Sequence, residues 1–279
     1  MLKTILVPID GSETSLVAVD YAIELSKIFN AELVGISIID VKRLAGPFMR
    51  DLGTSIGGMV PYADFQQKVR KILEDTAVAA LDEFEGKCIS ANISCIREIS
   101  EGVISKEIVK AAERCDMISM GMAGEHAVWR DALLGSNLES VARQTHKPVL
   151  VAPQTFAKIT KMLIAYDGSS FSSKALATGA EIAKQADIPL TVILVSQDQD
   201  NSEKLLSQAV ETLRNYNVTY DTIIEKGEPA KVVLRVCKDG GYDLIVMGAY
   251  GHSRLRELVL GSTTVQIMRN ANCPLVLCR

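Results

Sequence analysis

The chain has 279 residues, 48% of them hydrophobic and 23% charged, with a formal net charge of −4. That length suits two domains, each able to bury its own core, and the acidic balance argues against nucleic acid as the main partner, because phosphate binding needs a basic surface. No apolar run approaches the ~18 residues of a membrane helix, and Pro8 and Asp10 interrupt the opening "MLKTILVPIDGS", unlike a signal peptide, so the chain is expected to be cytoplasmic with no membrane partner.

The elements alternate from the start. Ile5–Ile9 is a short apolar run suited to a strand buried on both faces. After "DGS" a helical pattern places Leu16, Val19 and Ile23 on one face. Leu33–Ile39 reads as a strand. An insertion, Val41–Phe65, is rich in Gly and apolar residues and suits a lid, an interface, a mobile loop or a structural cover. A long helix follows over roughly Tyr62 to Phe84. Then come a strand near Ile93–Ile99, a helix over Val103–Arg114, a strand at Met117–Gly121, a short helix after Ser136 and a last strand at Val149–Ala152.

The second half repeats the first. "TILVPIDGSETS" matches "KMLIAYDGSSFSS", "AELVGISIID" matches "IPLTVILVSQD", "CDMISMG" matches "YDLIVMG", and "KPVLVAP" matches "CPLVLCR", all in the same order. The boundary falls in "PQTFAKIT", Pro153–Thr160, giving domains 1–153 and 161–279. Strands alternating with helices imply an α/β fold. Each half is expected to be a doubly wound domain with a five-stranded parallel sheet in the order 3-2-1-4-5.

Chemistry concentrates near the end of the second half, in "MGAYGHSRLRELVLGSTT", Met247–Thr264. In an open parallel sheet, ligands bind beyond the carboxyl ends of the strands where the order reverses. Asp167 ends the first strand of its half and Gly248 the fourth, so the two face one crevice. Gly248 and Gly251 are expected to let the backbone take positive φ and approach a ligand. Gly261 precedes Ser262 and Thr263, which open a helix whose free N–H groups and dipole suit an anion. Arg254 and Arg256 lie between and can reach a polyphosphate, while Asp167 suits a ribose hydroxyl or an adenine amino group. The pattern is neither a Walker A loop nor a dinucleotide fingerprint.

No nucleophile elbow, H-E-x-x-H or evident general base appears, so no catalytic residue is assigned. Six cysteines form no C-x-x-C pair, and the histidines, His126, His146 and His252, lie far apart. No metal site is expected, and the cysteines read as small buried apolar residues.

G-x2-G-x9-G-[ST], following a strand that ends in Asp-Gly-Ser, resembles the universal stress protein family, and two tandem copies cover nearly the whole chain. The resemblance implies a fold related to adenine-nucleotide-binding folds, with ATP held by this motif in the family's ATP-binding members. It places Asp167 at the adenosine moiety, Val195 and Ala165 beside the base, Met247 and Gly248 over the ribose, and Gly251, Gly261, Ser262 and Thr263 around the phosphates. It also implies that Val149–Ala152 and Leu275–Leu277 pair as a pseudo-dimer within the chain, and that the chain forms a homodimer.

In the first half Asp10, Ile38, Gly121, Gly124, Gly135 and Ser136 stand in the corresponding places. There, ten residues instead of nine separate the last two glycines, Glu125, Trp129 and Asp131 enter the loop, and Asn137 replaces a hydroxyl residue. A carboxylate beside a triphosphate is unfavourable by about 1–4 kcal/mol per close pair. The first half is therefore expected to bind nucleotide weakly, differently or not at all. The reading is a regulatory stress protein that binds ATP (or ADP or AMP, with Mg²⁺ as a companion ion) mainly through its second half. The alternatives are an interaction scaffold without nucleotide and a slow ATPase or nucleotidyl-transfer enzyme.

Overall fold

The structure, a computed structural model, describes residues 2–41, 62–123, 135–250 and 260–279. Nearly all of the Val41–Phe65 insertion lies outside the described residues, as do Gly124 and Gly251. The first half runs β1 (Thr4–Pro8), α1 (Glu13–Phe29), β2 (Glu32–Asp40), α2 (Tyr62–Ala91), β3 (Cys95–Gly102), α3 (Ile104–Ala112), β4 (Met117–Gly121), α4 (Ser136–Gln144) and β5 (Val149–Ala152). The second runs β6 (Met162–Ala165), α5 (Ser170–Ala186), β7 (Leu190–Val195), α6 (Gln199–Arg214), β8 (Tyr220–Glu225), α7 (Pro229–Asp239), β9 (Leu244–Gly248), α8 (Ser262–Asn270) and β10 (Leu275–Cys278).

Local chemistry explains the repeated start. Gly11 and Gly168 both hold φ +80°, a left-handed conformation that glycine adopts without strain. The next residue caps the helix: Ser12 Oγ accepts from Ser15 N–H, and Ser169 Oγ from Ser172 N–H. Asp-Gly-Ser is thus a turn and a cap in three residues. α2 runs past its expected end at Phe84 to Ala91. Leu81, Phe84 and Cys88 are all buried and keep the three-and-four spacing of one helical face. The helix stops at Asn92, which takes φ +57°.

Each half has the expected parallel order, β3-β2-β1-β4-β5 and β8-β7-β6-β9-β10, but the two sheets are not separate. β5 and β10 pair antiparallel, Leu275 opposite Val151, Val276 opposite Leu150 and Leu277 opposite Val149, and fuse the halves into one ten-stranded sheet. The two five-stranded orders are thus those expected, and the pairing of Val149–Ala152 with Leu275–Leu277 that the family resemblance implied joins them. The physical reason is that β5 and β10 would otherwise be exposed edges of wholly apolar strands, and pairing them satisfies both rows of backbone groups. Both sheet faces are covered. α1, α2, α5 and α6 bury one apolar core that runs across the junction, and α3, α4, α7 and α8 bury the other. Burial on both faces is why β1, β4, β6 and β9 read as near-continuous apolar runs. Among the described residues no helix is long and apolar enough to cross a membrane.

Candidate functional site

The site forms where β6 and β9 end side by side, with Ala165 opposite Met247 in the register. Beyond β6 the chain is held by Tyr166 N–H donating to the Ile193 carbonyl at 2.9 Å. Asp167 follows, and its Oδ1 accepts from Ser169 N–H at 2.9 Å, the local turn that aspartate favours. The same turn recurs at Asp10, whose Oδ1 accepts from both Ser12 N–H and Ser12 Oγ.

Beyond β9, Ala249 N–H donates to the Cys278 carbonyl at 2.8 Å, and Gly261 N–H returns to the Ala249 carbonyl at 3.3 Å. The start of α8 is therefore tied to the end of β9. Thr264, buried, adds a hydrogen bond from its hydroxyl to the Ala249 carbonyl at 3.1 Å. The first bond inside α8 runs from Val265 N–H to the Gly261 carbonyl, so the amides of Ser262, Thr263 and Thr264 have no acceptor within the helix. Among the described residues no side chain caps this terminus, and no acidic residue lies in its first turn. It is an electropositive end with donors available.

These ends line a half-open cavity of about 260 Å³, near the lower end of small-molecule pockets at ~300 Å³. Ala165, Ile193, Val195, Val233, Met247 and Ile267 give it apolar walls, and Asp167, Ser172, Gly248, Tyr250, Gly261, Ser262 and Thr263 give it polar and backbone groups. The structure thus gathers Ala165, Asp167, Val195, Met247, Gly248, Gly261, Ser262 and Thr263 around one space; Gly251, Arg254 and Arg256 lie outside the described residues. Tyr166, Ser172, Ile193, Pro229, Val233, Tyr250, Thr264 and Ile267 line it as well and were not singled out by sequence. Several of these carried a signal, since Tyr166 and Ser172 lie in the repeated "KMLIAYDGSSFSS" and Thr264 closes the glycine-rich stretch. Ile193 lies two residues before Val195 on the same strand face, and Tyr250 sits inside the glycine motif. Pro229 and Val233 come from α7, which no motif marks.

The glycines divide into two kinds, which corrects one expectation. Gly248 does not take positive φ; the described glycines that do are Gly11, Gly168, Gly227 and Gly241. Its role is packing. A Cβ at Gly248 would stand 2.9 Å from Phe171 Cβ and Ser172 N, at the start of α5. Gly121 is alike, with Thr14 backbone and side-chain atoms at 2.6–2.8 Å. Gly261 is different. Its φ −57°, ψ 142° suit any residue, and among the described residues the nearest atoms to a Cβ there would be Thr264 Oγ1 at 3.4 Å, the Ala249 carbonyl oxygen at 3.7 Å and Tyr250 Cα at 4.0 Å. Among the described residues neither backbone conformation nor crowding calls for glycine at this point on the cavity wall.

The first half repeats the scaffold with different contents. Met122 N–H donates to the Ala152 carbonyl, and Gly135 N–H to the Met122 carbonyl, as their counterparts do. Ile38 is partly buried on β2 beyond β1, and Ser136 begins α4 after Gly135. The first turn of α4 carries Glu139, where α8 has Val265, and Leu138 stands in place of Thr264. A carboxylate in the first turn opposes an anion at that helix end. Thr14, the counterpart of Phe171, donates its hydroxyl to the Ala123 carbonyl.

Comparison with known proteins adds to this geometry. A sequence model of the universal stress protein family matches residues 1–153 and 197–279. A universal stress protein of Synechocystis sp. is 29% identical over 286 residues, which span 99% of each chain. One from Bacillus subtilis is 31% identical over 145 residues, 98% of its own length and 43% of this chain. The crystal structure of a universal stress protein from Archaeoglobus fulgidus superposes with a TM-score of 0.79 at 25% identity, covering 99% of this chain and 98% of that one.

Proposed function

The chain belongs to the universal stress protein family, and from that premise we propose that its second half binds an adenine nucleotide, ATP foremost, as a regulatory ligand. The observation that carries the reading is Gly261. Among the described residues there is room for a side chain, yet the residue is glycine, at a helix start with no side-chain cap and no carboxylate in its first turn. A ligand that must approach the backbone closely would explain a glycine here, where the described neighbours do not require one. The chemistry of the donors fits a polyphosphate: the N–H groups of Ser262, Thr263 and Thr264 and the hydroxyls of Ser262 and Thr263 would take phosphate oxygens. Asp167 would accept from a ribose hydroxyl or the adenine amino group, and Ala165, Ile193, Val195 and Met247 would surround the base. Gly251 and the Arg254 and Arg256 side chains complete the proposed phosphate segment, and Mg²⁺ would accompany the triphosphate and screen its charge.

In this reading the nucleotide changes conformation or partner choice rather than being consumed in rapid turnover. The first half, with Glu139 at its helix start, holds nucleotide weakly or not at all. The assembled form is a homodimer, which light scattering of the purified chain tests.

The deciding experiment is the nucleotide content of the purified protein, followed by titration of the stripped protein with ATP and Mg²⁺. One tight site per chain, lost in Gly261→Val/Ser262→Val, supports the reading. Two sites of equal affinity would overturn the assignment of the first half. No binding would remove the nucleotide altogether and leave an interaction scaffold.

A further inference from the structure

Two cysteines that the proposed site does not use meet on its far side. Cys237 lies in the last turns of α7 and is buried, and Cys273 lies in the bend between α8 and β10 and is partly exposed. Their Sγ atoms are 3.6 Å apart. Cys237 is held in this position: its carbonyl accepts from Tyr242 N–H at 3.0 Å, and its Sγ lies 3.3 Å from the Tyr242 carbonyl oxygen as a donor. Cys273 is on irregular backbone just before Pro274, where a small rotation of the bend changes its side-chain direction without breaking a helix or strand. A disulfide requires the two sulfurs to close to about 2.05 Å, a movement of the order of one and a half ångströms that such a bend can supply.

We infer that Cys237 and Cys273 form a redox-active dithiol, a site that a peroxide oxidises to an intramolecular disulfide and that a dithiol reductant restores. The balance is two thiols and one hydrogen peroxide giving one disulfide and two waters. The thiolate of one cysteine attacks a peroxide oxygen, the O–O bond breaks, and the departing hydroxide takes a proton to become water. The neighbouring thiol then attacks the sulfenic sulfur, the S–O bond breaks, and the second water leaves with the thiol's proton. Contact between the two sulfurs makes the second step intramolecular. It also favours the first, because the Cys273 S–H donates to the Cys237 thiolate, which lowers the Cys237 thiol below its ordinary range against the opposing effects of burial and of the Asp243 carboxylate, although ionisation gives up the Cys237 hydrogen bond to the Tyr242 carbonyl. The bond would tie α7 to the start of β10 and so bracket β9 and α8, the elements that carry Gly248, Gly261, Ser262 and Thr263. The inference does not depend on the nucleotide reading.

The test uses the full chain. Native protein is treated with hydrogen peroxide, blocked with N-ethylmaleimide, digested and mapped by mass spectrometry. The expected result is the loss of two of the six free thiols, a linked peptide joining Cys237 and Cys273, and its disappearance after dithiothreitol. Cys237→Ser and Cys273→Ser should each abolish the linked peptide, while Cys95→Ser leaves it in place. Recovery of both peptides in blocked-thiol form, at peroxide levels that oxidise other cysteines of the chain, would overturn the inference. So would a linkage confined to Cys88 and Cys95. The wild-type map decides the matter by itself if a serine variant fails to fold.

Discussion

Gly261→Ser separates the two roles that a glycine at this position can have. Gly261 is the N-cap of α8, with φ −57° and ψ 142°, and the nearest described atom to a new Cβ is 3.4 Å away. Serine is a better N-cap than glycine by a few tenths of a kcal/mol, and replacing glycine at a compatible conformation adds about 0.4–1 kcal/mol by restricting the unfolded chain. The variant should therefore be as stable as the wild type or more stable, with Tm unchanged or raised by about 1–3 °C. Binding should move the other way. The serine Oγ would accept from an amide of the first turn, at Thr263 or Thr264, and occupy a donor that the nucleotide would otherwise use. Loss of one charge-assisted hydrogen bond, at about 1.5–3 kcal/mol, weakens affinity roughly tenfold to a hundredfold. Thermal unfolding followed by calorimetric titration with ATP and Mg²⁺ measures both quantities on one sample. A variant with raised Tm and unchanged affinity would refute the reasoning, because the helix start would then not hold the phosphates. A collapse in Tm would show that Gly261 is structural.

Gly248→Ala should behave in the opposite sense: with a Cβ 2.9 Å from Ser172 N and Phe171 Cβ, overpacking at the start of α5 should cost about 1–3 kcal/mol, visible as a lowered urea midpoint with or without nucleotide. Burial raises the Glu24 carboxyl above its ordinary range, and its Oε2 is buried without a hydrogen-bond partner among the described residues. Because the folded-state value is the higher one, the stability this group contributes is full below the ordinary carboxylate pKa and is lost as pH rises through the raised value. The Tm of Glu24→Gln minus that of wild type should therefore increase with pH across that window, and a flat difference would contradict the burial argument. If the Cys237–Cys273 bond forms, the closed segment of the chain implies stabilisation of about 3–4 kcal/mol from chain entropy, so the oxidised protein should melt above the reduced one, and an unchanged or lower Tm would mean that native-state strain cancels the gain.

Much of this protein is legible in its sequence because the signals are local. The turn at Asp10-Gly11-Ser12 and its copy at Asp167-Gly168-Ser169 need only a left-handed glycine and a capping hydroxyl. The buried strands announce themselves as short apolar runs, and the repeat carries one strand order to both halves. The cavity residues at the ends of β6 and β9 follow from that order, since the reversal point brings Asp167 and Gly248 to one crevice.

Other features depend on segments that meet only in three dimensions. No local pattern marks Pro229 and Val233 as cavity walls, because α7 reaches the site through its packing against the sheet. Gly248 and Gly261 look alike in the motif, and only the neighbours of an absent Cβ separate a packing glycine from one that leaves an open wall. The thiol pair joins positions separated by β9 and α8. The fusion of two sheets into one rests on the antiparallel register of β5 with β10, decided by the burial of two apolar edges against each other. Sequence alone determined the turns, caps, buried strands and duplicated order, because those depend on side-chain chemistry within a few residues. Tertiary structure decided the shape of the cavity, the packing of each described glycine and the register in which the two sheets join, because those depend on distances between residues that the chain itself keeps far apart.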